Sequence, residues 1–255
     1  MILNHLIEGS GPPLLLVSGL NADLNFWTFC MGYLTERFTV IRVDNRGVGQ
    51  TKVFEPECTT DLMAADLSSL LDYLNIQKAH VVGHSLGGCA AQKLAIQYPE
   101  RVDRLILCST QAKIPEIKRH QIHTALDMMK AEVPRDLIVR QALTWLYSNE
   151  FFKKPGAVQR AIQNAMNKPL EENRKSYFYQ INALLTHDAS AFIQNIQAKT
   201  LLIGGNEDIS IPVAELEWLA NRIPHSALRI IGGVAHLAPI EMPELFCKEV
   251  IEFLC

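Results

Sequence analysis

Short apolar runs alternate along this chain with longer segments whose apolar residues recur at helical spacing. The runs are LLLVSG at 14–19, FTVIRVD at 38–44, KAHVVGHS at 78–85 and VDRLILCS at 102–109; among the segments between them, DLMAADLSSLLDYLN at 61–75 is amphipathic. The alternation returns after residue 190 as AKTLLIGG, AELEWLANRI, ALRIIGG and PELFCKEVIEFLC. Runs that are apolar throughout, rather than at every second position, predict strands covered by helices on both faces, and so a mostly parallel, doubly wound α/β sheet.

Between Thr110 and about Ser190 the alternation stops, and residues 111–190 show helical spacing with no convincing strand. Pro134, Pro155 and Pro169 each stand near a plausible helix start, so about four helices are expected there. The domain reading is a core of residues 1–110 and 191–255 carrying a helical cap at 111–190.

Composition narrows the field. With 255 residues, 48% of them hydrophobic, the chain can bury one large core. A formal net charge of -3 without long basic runs argues against binding nucleic acid through phosphate neutralisation. Charge is uneven: residues 111–190 carry 12 Lys and Arg against 8 Asp and Glu, about +4, and the remainder is about -7. The six cysteines form no CxxC, and the N-terminus shows no basic stretch leading into a secretory apolar core. A cytoplasmic protein with reduced thiols is expected. The longest apolar runs are too short to span a bilayer, so no membrane is expected as a partner.

The chemistry begins at Gly83-His84-Ser85-Leu86-Gly87-Gly88, where an apolar strand gives way to the helix starting LGGCAAQKLAIQ. A serine on a sharp strand-to-helix turn is held out at the top of the sheet, and flanking glycines remove side chains that would collide with its neighbours. Serine attacks at neutral pH only when a base takes its proton. His236, after the strand at 227–231 and its GGVA loop, is the candidate base; His84 should point away from the serine. Asp208, just past the strand at 201–203, is the candidate acid that orients the histidine. For the oxyanion, the backbone N–H groups of Leu86 and Leu20 are the expected donors, with Asn21 as alternate to Leu20.

These segments together resemble the α/β-hydrolase superfamily over nearly the whole chain outside the insertion. SGLNADLNFW is similar to the family's oxyanion loop, DNRGVGQT to its DxRGxGxS segment, GHSLGG to its nucleophile elbow, GNEDISIP to its acid loop and GGVAH to its histidine loop. Ser18 stands where many members have His, a position that supports the loop rather than reacting. The resemblance implies the order Ser85, Asp208, His236 for the triad, a structural role for Asp44 and Arg46, and a cap over the active site formed by residues 111–190.

A serine nucleophile makes acyl transfer to water the default reaction. It disfavours the dehalogenases and epoxide hydrolases of the fold, which use aspartate. No metal and no cofactor are implied. The substrate is expected to be a small ester or an acyl thioester-linked molecule, with the protein a monomer or weak dimer. Trp27, Met128, Trp145 and Phe151 are candidates for an apolar acyl pocket, along with Leu20, Leu86, Met129, Leu146 and Phe152. Within the esterases the resemblance extends to the biotin-pathway enzymes that cleave pimeloyl-carrier methyl esters, where a cationic cap meets an acidic acyl carrier protein. Arg119, Arg135, Arg140, Lys153, Lys154 and Arg160 are the candidates for that contact. Lactonases of the 3-oxoadipate enol-lactone type and C–C hydrolases are the alternatives. A non-catalytic ligand-binding protein of the same fold is the reading from another class.

Overall fold

The computed structural model describes residues 2–167 and 169–255. Its strands are β1 (His5–Glu8), β2 (Pro13–Val17), β3 (Thr39–Val43), β4 (Ala79–His84), β5 (Val102–Cys108), β6 (Lys199–Gly205) and β7 (Ser226–Ile231). They form one sheet in the order β1-β3-β2-β4-β5-β6-β7. Among the described strands only β1 is antiparallel, pairing with β3; β2 to β7 run parallel. The two neighbours of β2 are β3 and β4, so the chain steps to one side of β2 and then returns to the other. A crevice opens at such a reversal, beyond the carboxyl ends of the strands.

The fully apolar strands are explained by two cores, one on each face. Leu15, Val17, Val81, Leu105, Leu107 and Leu202 point into one core, and Leu14, Leu16, Val82, Ile106, Leu201 and Ile203 into the other. The helices α1 (Met31–Leu34), α2 (Thr60–Tyr73) and α3 (Leu86–Gln97) flank the first half of the sheet. Helices α2 and α3 pack on the first core, and Leu34 of α1 enters the second. Thr59 caps α2, its hydroxyl accepting from Leu62 N at 3.2 Å.

Among the described residues five α-helices lie between β5 and β6, one more than the spacing predicts: α4 (Glu116–Lys130), α5 (Arg135–Leu146), α6 (Asn149–Lys153), α7 (Ala157–Met166) and α8 (Leu170–Thr186). The extra one is the five-residue α6, too short to show a period and marked only by its Ser148 cap. Pro134 and Pro169 are the N-cap residues of α5 and α8. The two stems of the insertion are tied together. Ala189 N donates to Ala112 O at 2.8 Å, and Lys113 pairs with Asp188 at 3.1 Å.

The chain closes with α9 (Val213–Ala220), α10 (Ala238–Glu241) and α11 (Pro243–Leu254). Leu216 and Leu219 of α9 join the first core, and Phe246, Cys247, Val250 and Leu254 of α11 the second. Among the described residues no helix is long and apolar enough to cross a membrane. All six cysteines are free, and only Cys255 is exposed.

Candidate active site

Ser85 sits between β4 and α3 with φ 54° and ψ -118°, a left-handed backbone that a residue with a Cβ rarely adopts. The surroundings hold it there. Its N–H donates to Cys108 O at 2.9 Å, and its carbonyl accepts from Cys89 N at 3.1 Å and Thr110 Oγ1 at 2.8 Å. The turn closes because its neighbours are glycines: a Cβ on Gly87 would lie 2.3 Å from Val17 O, and one on Gly83 would lie 2.6 Å from Gly87 O.

The strand ends β6 and β7 bring Asp208 and His236 together. His236 Nδ1 lies 2.8 Å from Asp208 Oδ2, both side chains almost wholly buried. A carboxylate only accepts, so Nδ1 carries the hydrogen and leaves Nε2 free as a base. Asp208 Oδ1 meanwhile accepts from Ser210 N at 2.9 Å and Ile211 N at 2.8 Å. Burial pushes the Asp208 carboxyl upward, but the charge and hydrogen bond of His236 and the two backbone N–H groups outweigh it. The net direction is downward, and Asp208 stays ionised.

His84 contacts the loop that carries His236. Its Nε2 lies 2.9 Å from His236 O and donates to it, and its ring stacks on Phe26 with centroids 4.7 Å apart. Burial, reinforced by His236, pushes His84 down to about 3, so it is neutral and serves as a strut for the histidine loop.

The loop at Gly19 lies against Ser85: a Cβ on Gly19 would be 3.1 Å from Ser85 Cβ. Leu86 opens α3, so its N–H is one of the helix's unspent donors. Asn21 is ruled out as the alternate to Leu20, because its N–H donates to Gln180 Oε1 at 2.7 Å. Ser18 supports the loop through its hydroxyl, which donates to Asp23 O at 3.2 Å. Asp44 and Arg46 hold structure. Asp44 accepts from Leu24 N, Gln50 N and Asn4 Nδ2, and Arg46 makes a buried two-pronged pair with Asp66 at 2.6 and 3.0 Å.

The insertion contacts the loops of Asp208 and His236 directly. His236 N donates to Leu146 O at 3.1 Å. Glu241 Oε2 accepts from Ser148 N and Oγ, while its Oε1 accepts from Ala235 N beside the histidine. Glu207, next to the acid, accepts from Asn149 N at 2.8 Å. Buried Lys118 of α4 donates to Ser210 Oγ, and burial, opposed by Asp208, pushes its ammonium down to about 8. Lys118, Ser148, Asn149 and Glu241 sit inside ordinary helices or turns, where no motif marks them.

The pocket candidates divide. Trp27 is a core residue rather than a pocket wall: it is fully buried and stacked near Phe246, with ring centroids 6.3 Å apart. Met128, Trp145 and Phe151 are half-buried in the insertion, with Phe151 stacked on Tyr147 at 3.8 Å. Most of the cationic candidates are engaged within the insertion. Arg119 pairs with Glu116, Arg140 with Asp136 and Lys153 with Glu150, and Arg135 donates to Ala165 O at 2.7 Å. Lys154 and Arg160 are exposed. Among the described residues no three His, Cys, Asp or Glu side chains gather as metal ligands would.

Comparison with known proteins agrees with this architecture. The family described as the alpha/beta hydrolase fold matches residues 12–243. A protein of Caulobacter segnis that carries the provisional name carbamate hydrolase RutD is 30% identical over 247 residues, covering 94% of this chain and 90% of that one. The 3-oxoadipate enol-lactonase 2 of Acinetobacter baylyi is 28% identical over 246 residues, covering 96% and 90%. Among solved structures, a thermophilic esterase from Thermogutta terrifontis superposes with a TM-score of 0.86 at 29% identity, covering 99% of this chain and 92% of that one. Strand order, elbow, acid and histidine loops and sequence likeness converge, and the chain belongs to the α/β-hydrolase fold family.

Proposed function

We propose that the protein is a serine hydrolase that cleaves a small carboxylic ester or lactone through an acyl-enzyme on Ser85. The observation that carries this reading is the buried 2.8 Å contact between His236 and Asp208 at the same sheet edge as a serine held at φ 54°. Such an arrangement costs stability, and an activated nucleophile is what that strain provides for.

In the proposed cycle His236 Nε2 takes the Ser85 hydroxyl proton as Oγ attacks the carbonyl carbon. The carbonyl electrons move onto oxygen, and the Leu20 and Leu86 N–H groups stabilise that charge. Collapse breaks the acyl–oxygen bond, and His236 returns its proton to the leaving alkoxide. Water then attacks the acyl-enzyme, giving its proton to His236, and the acid departs as Ser85 recovers its hydrogen. Asp208 stabilises the imidazolium throughout without being protonated. The insertion serves as the cap and sets the acyl pocket. The names of the relatives support an acyl substrate of modest size, since one is an enol-lactonase and another carries a carbamate hydrolase name.

Hydrolysis of p-nitrophenyl esters from acetate to decanoate, run beside Ser85→Ala, tests the reading. Turnover by wild type with loss in the variant is expected, together with fluorophosphonate labelling of Ser85. A wild-type protein that is inert to every ester and resists the label would turn the assignment towards a ligand-binding protein of this fold.

A further inference from the structure

Gln180 lies on α8, 159 residues from the oxyanion loop in sequence, and it is completely buried. Its side-chain amide bridges two loops. Oε1 accepts from Asn21 N at 2.7 Å, and Nε2 donates to Arg46 O at 2.9 Å. The two partners also settle which way the amide points, since one is a pure donor and the other a pure acceptor.

The loop it holds is a tight turn, with Ala22 N donating to Gly19 O at 3.3 Å and Asn21 at its third position with φ 57°. The peptide plane between the two central residues of such a turn is its softest part, because turn types differ mainly by rotation of that plane. The plane in question joins Leu20 to Asn21, directly after the N–H that should meet the oxyanion. Gln180 fixes it by accepting from its N–H group. Arg46, at the far end of the bridge, is itself immobilised by Asp66 and by Tyr179 of the same helix. Asn45 Nδ2 adds a second tie to the loop, donating to Ser18 O at 2.9 Å.

We infer that Gln180 is a positioning residue for the oxyanion hole, through which the docking of the helical insertion sets the reactivity of the site. This rests on the acyl-transfer reading above. With Gln180 in place the Leu20 N–H meets the developing charge preorganised; without it the turn samples both plane orientations, and the donor is aligned only part of the time. The effect belongs to the transition state, because the ground-state carbonyl draws little on the donor.

The test is steady-state hydrolysis of p-nitrophenyl butyrate by wild type, Ser85→Ala, Gln180→Met and Gln180→Glu, with inhibition by a trifluoromethyl ketone that forms a tetrahedral adduct. Methionine keeps length and removes both hydrogen bonds, whereas glutamate keeps an acceptor for Asn21 N. For Gln180→Met we expect kcat to fall about 10- to 100-fold with KM within about twofold, and ketone affinity to fall in parallel. Gln180→Glu should lose less. An unchanged kcat in Gln180→Met, or a raised KM at constant kcat, overturns the inference while leaving the serine mechanism intact. Activity persisting in Ser85→Ala overturns the mechanism and the inference together. Should Gln180→Met not fold, Gln180→Ala carries the same comparison, because water can fill the space.

Discussion

Gly205 and Val234 meet so closely that a Cβ added to Gly205 would lie 2.0 Å from the Val234 carbonyl oxygen and 2.5 Å from that of Ala235. The glycine ends β6, three residues before Asp208, and the carbonyls belong to the loop that delivers His236. The contact therefore lies between the strand end that leads to Asp208 and the loop that leads to His236. Neither partner atom is the flexible end of a side chain, so backbone must move to admit even one methyl group.

Gly205→Ala is expected to destabilise the protein by about 2–4 kcal/mol, because overpacking against backbone has no cheap relief. Activity should fall further than stability alone explains, since Asp208 and His236 are pushed apart. Urea unfolding and kcat under conditions where the variant is fully folded measure the two effects. A variant with wild-type stability would show that the two loops have room to separate.

Asp208→Asn should leave the fold intact and reduce kcat by roughly ten-thousand-fold. The Asn amide can donate to Nδ1, which shifts the imidazole hydrogen to Nε2 and removes the base from the side where the serine proton must go. Hydrolysis within tenfold of wild type would mean that another carboxylate orients His236.

Acid should weaken the protein through two buried neutral histidines. Burial, reinforced by His236, pushes His84 down to about 3, and burial, reinforced by Lys93, pushes His187 down to about 4, from an ordinary 6.5. The unfolded chain thus takes up protons first, and the stability each contributes is complete above pH 6.5 and lost as pH falls towards the folded values. Between pH 7 and pH 5 each accounts for about 2 kcal/mol, about 4 kcal/mol together. Urea unfolding at the two pH values measures the sum, and His187→Asn should remove about half of it. Equal stability at pH 7 and pH 5 would contradict the buried neutral state.

Lys118→Met is expected to stabilise the protein at pH 7 by roughly 1–3 kcal/mol, because a buried ammonium gives way to an apolar chain of similar length. Burial, opposed by Asp208, pushes the lysine from 10.5 to about 8. Wild-type stability should then rise with pH from about 8 to 10.5, as the native state releases its proton before the unfolded chain does. The variant should lack that rise. Thermal melts across the range distinguish the two, and a melting temperature that drops on substitution would show that the bond to Ser210 outweighs the cost of burying the charge.

The sheet and the elbow were legible in the sequence because their causes are local. An apolar run such as Val81–Val82 implies cover on both faces, and Gly83 to Gly88 announce a turn in which side chains have no room. The order of Ser85, Asp208 and His236 after β4, β6 and β7 could be read the same way, since each follows its own run. The edge strand β1 was not legible: its four residues hold only Leu6 and Ile7 as apolar positions, and it is a strand because β3 offers it a partner. Trp27 looked like a pocket wall because an aromatic residue near an oxyanion loop is ambiguous until packing decides, and packing placed it against Phe246.

What tertiary structure alone decided is which residues hold the loops around Ser85, Asp208 and His236. Gln180, Lys118, Leu146 and Ser148 reach them from helices and turns distant in sequence, Ser148 by way of Glu241, and no local pattern announces those partners. The physical reason is one of range. Hydrophobic period and turn chemistry act over a few residues and are written into neighbouring letters. A hydrogen bond from Gln180 to Asn21 exists only because a helix and a loop 159 residues apart are folded against the same crevice.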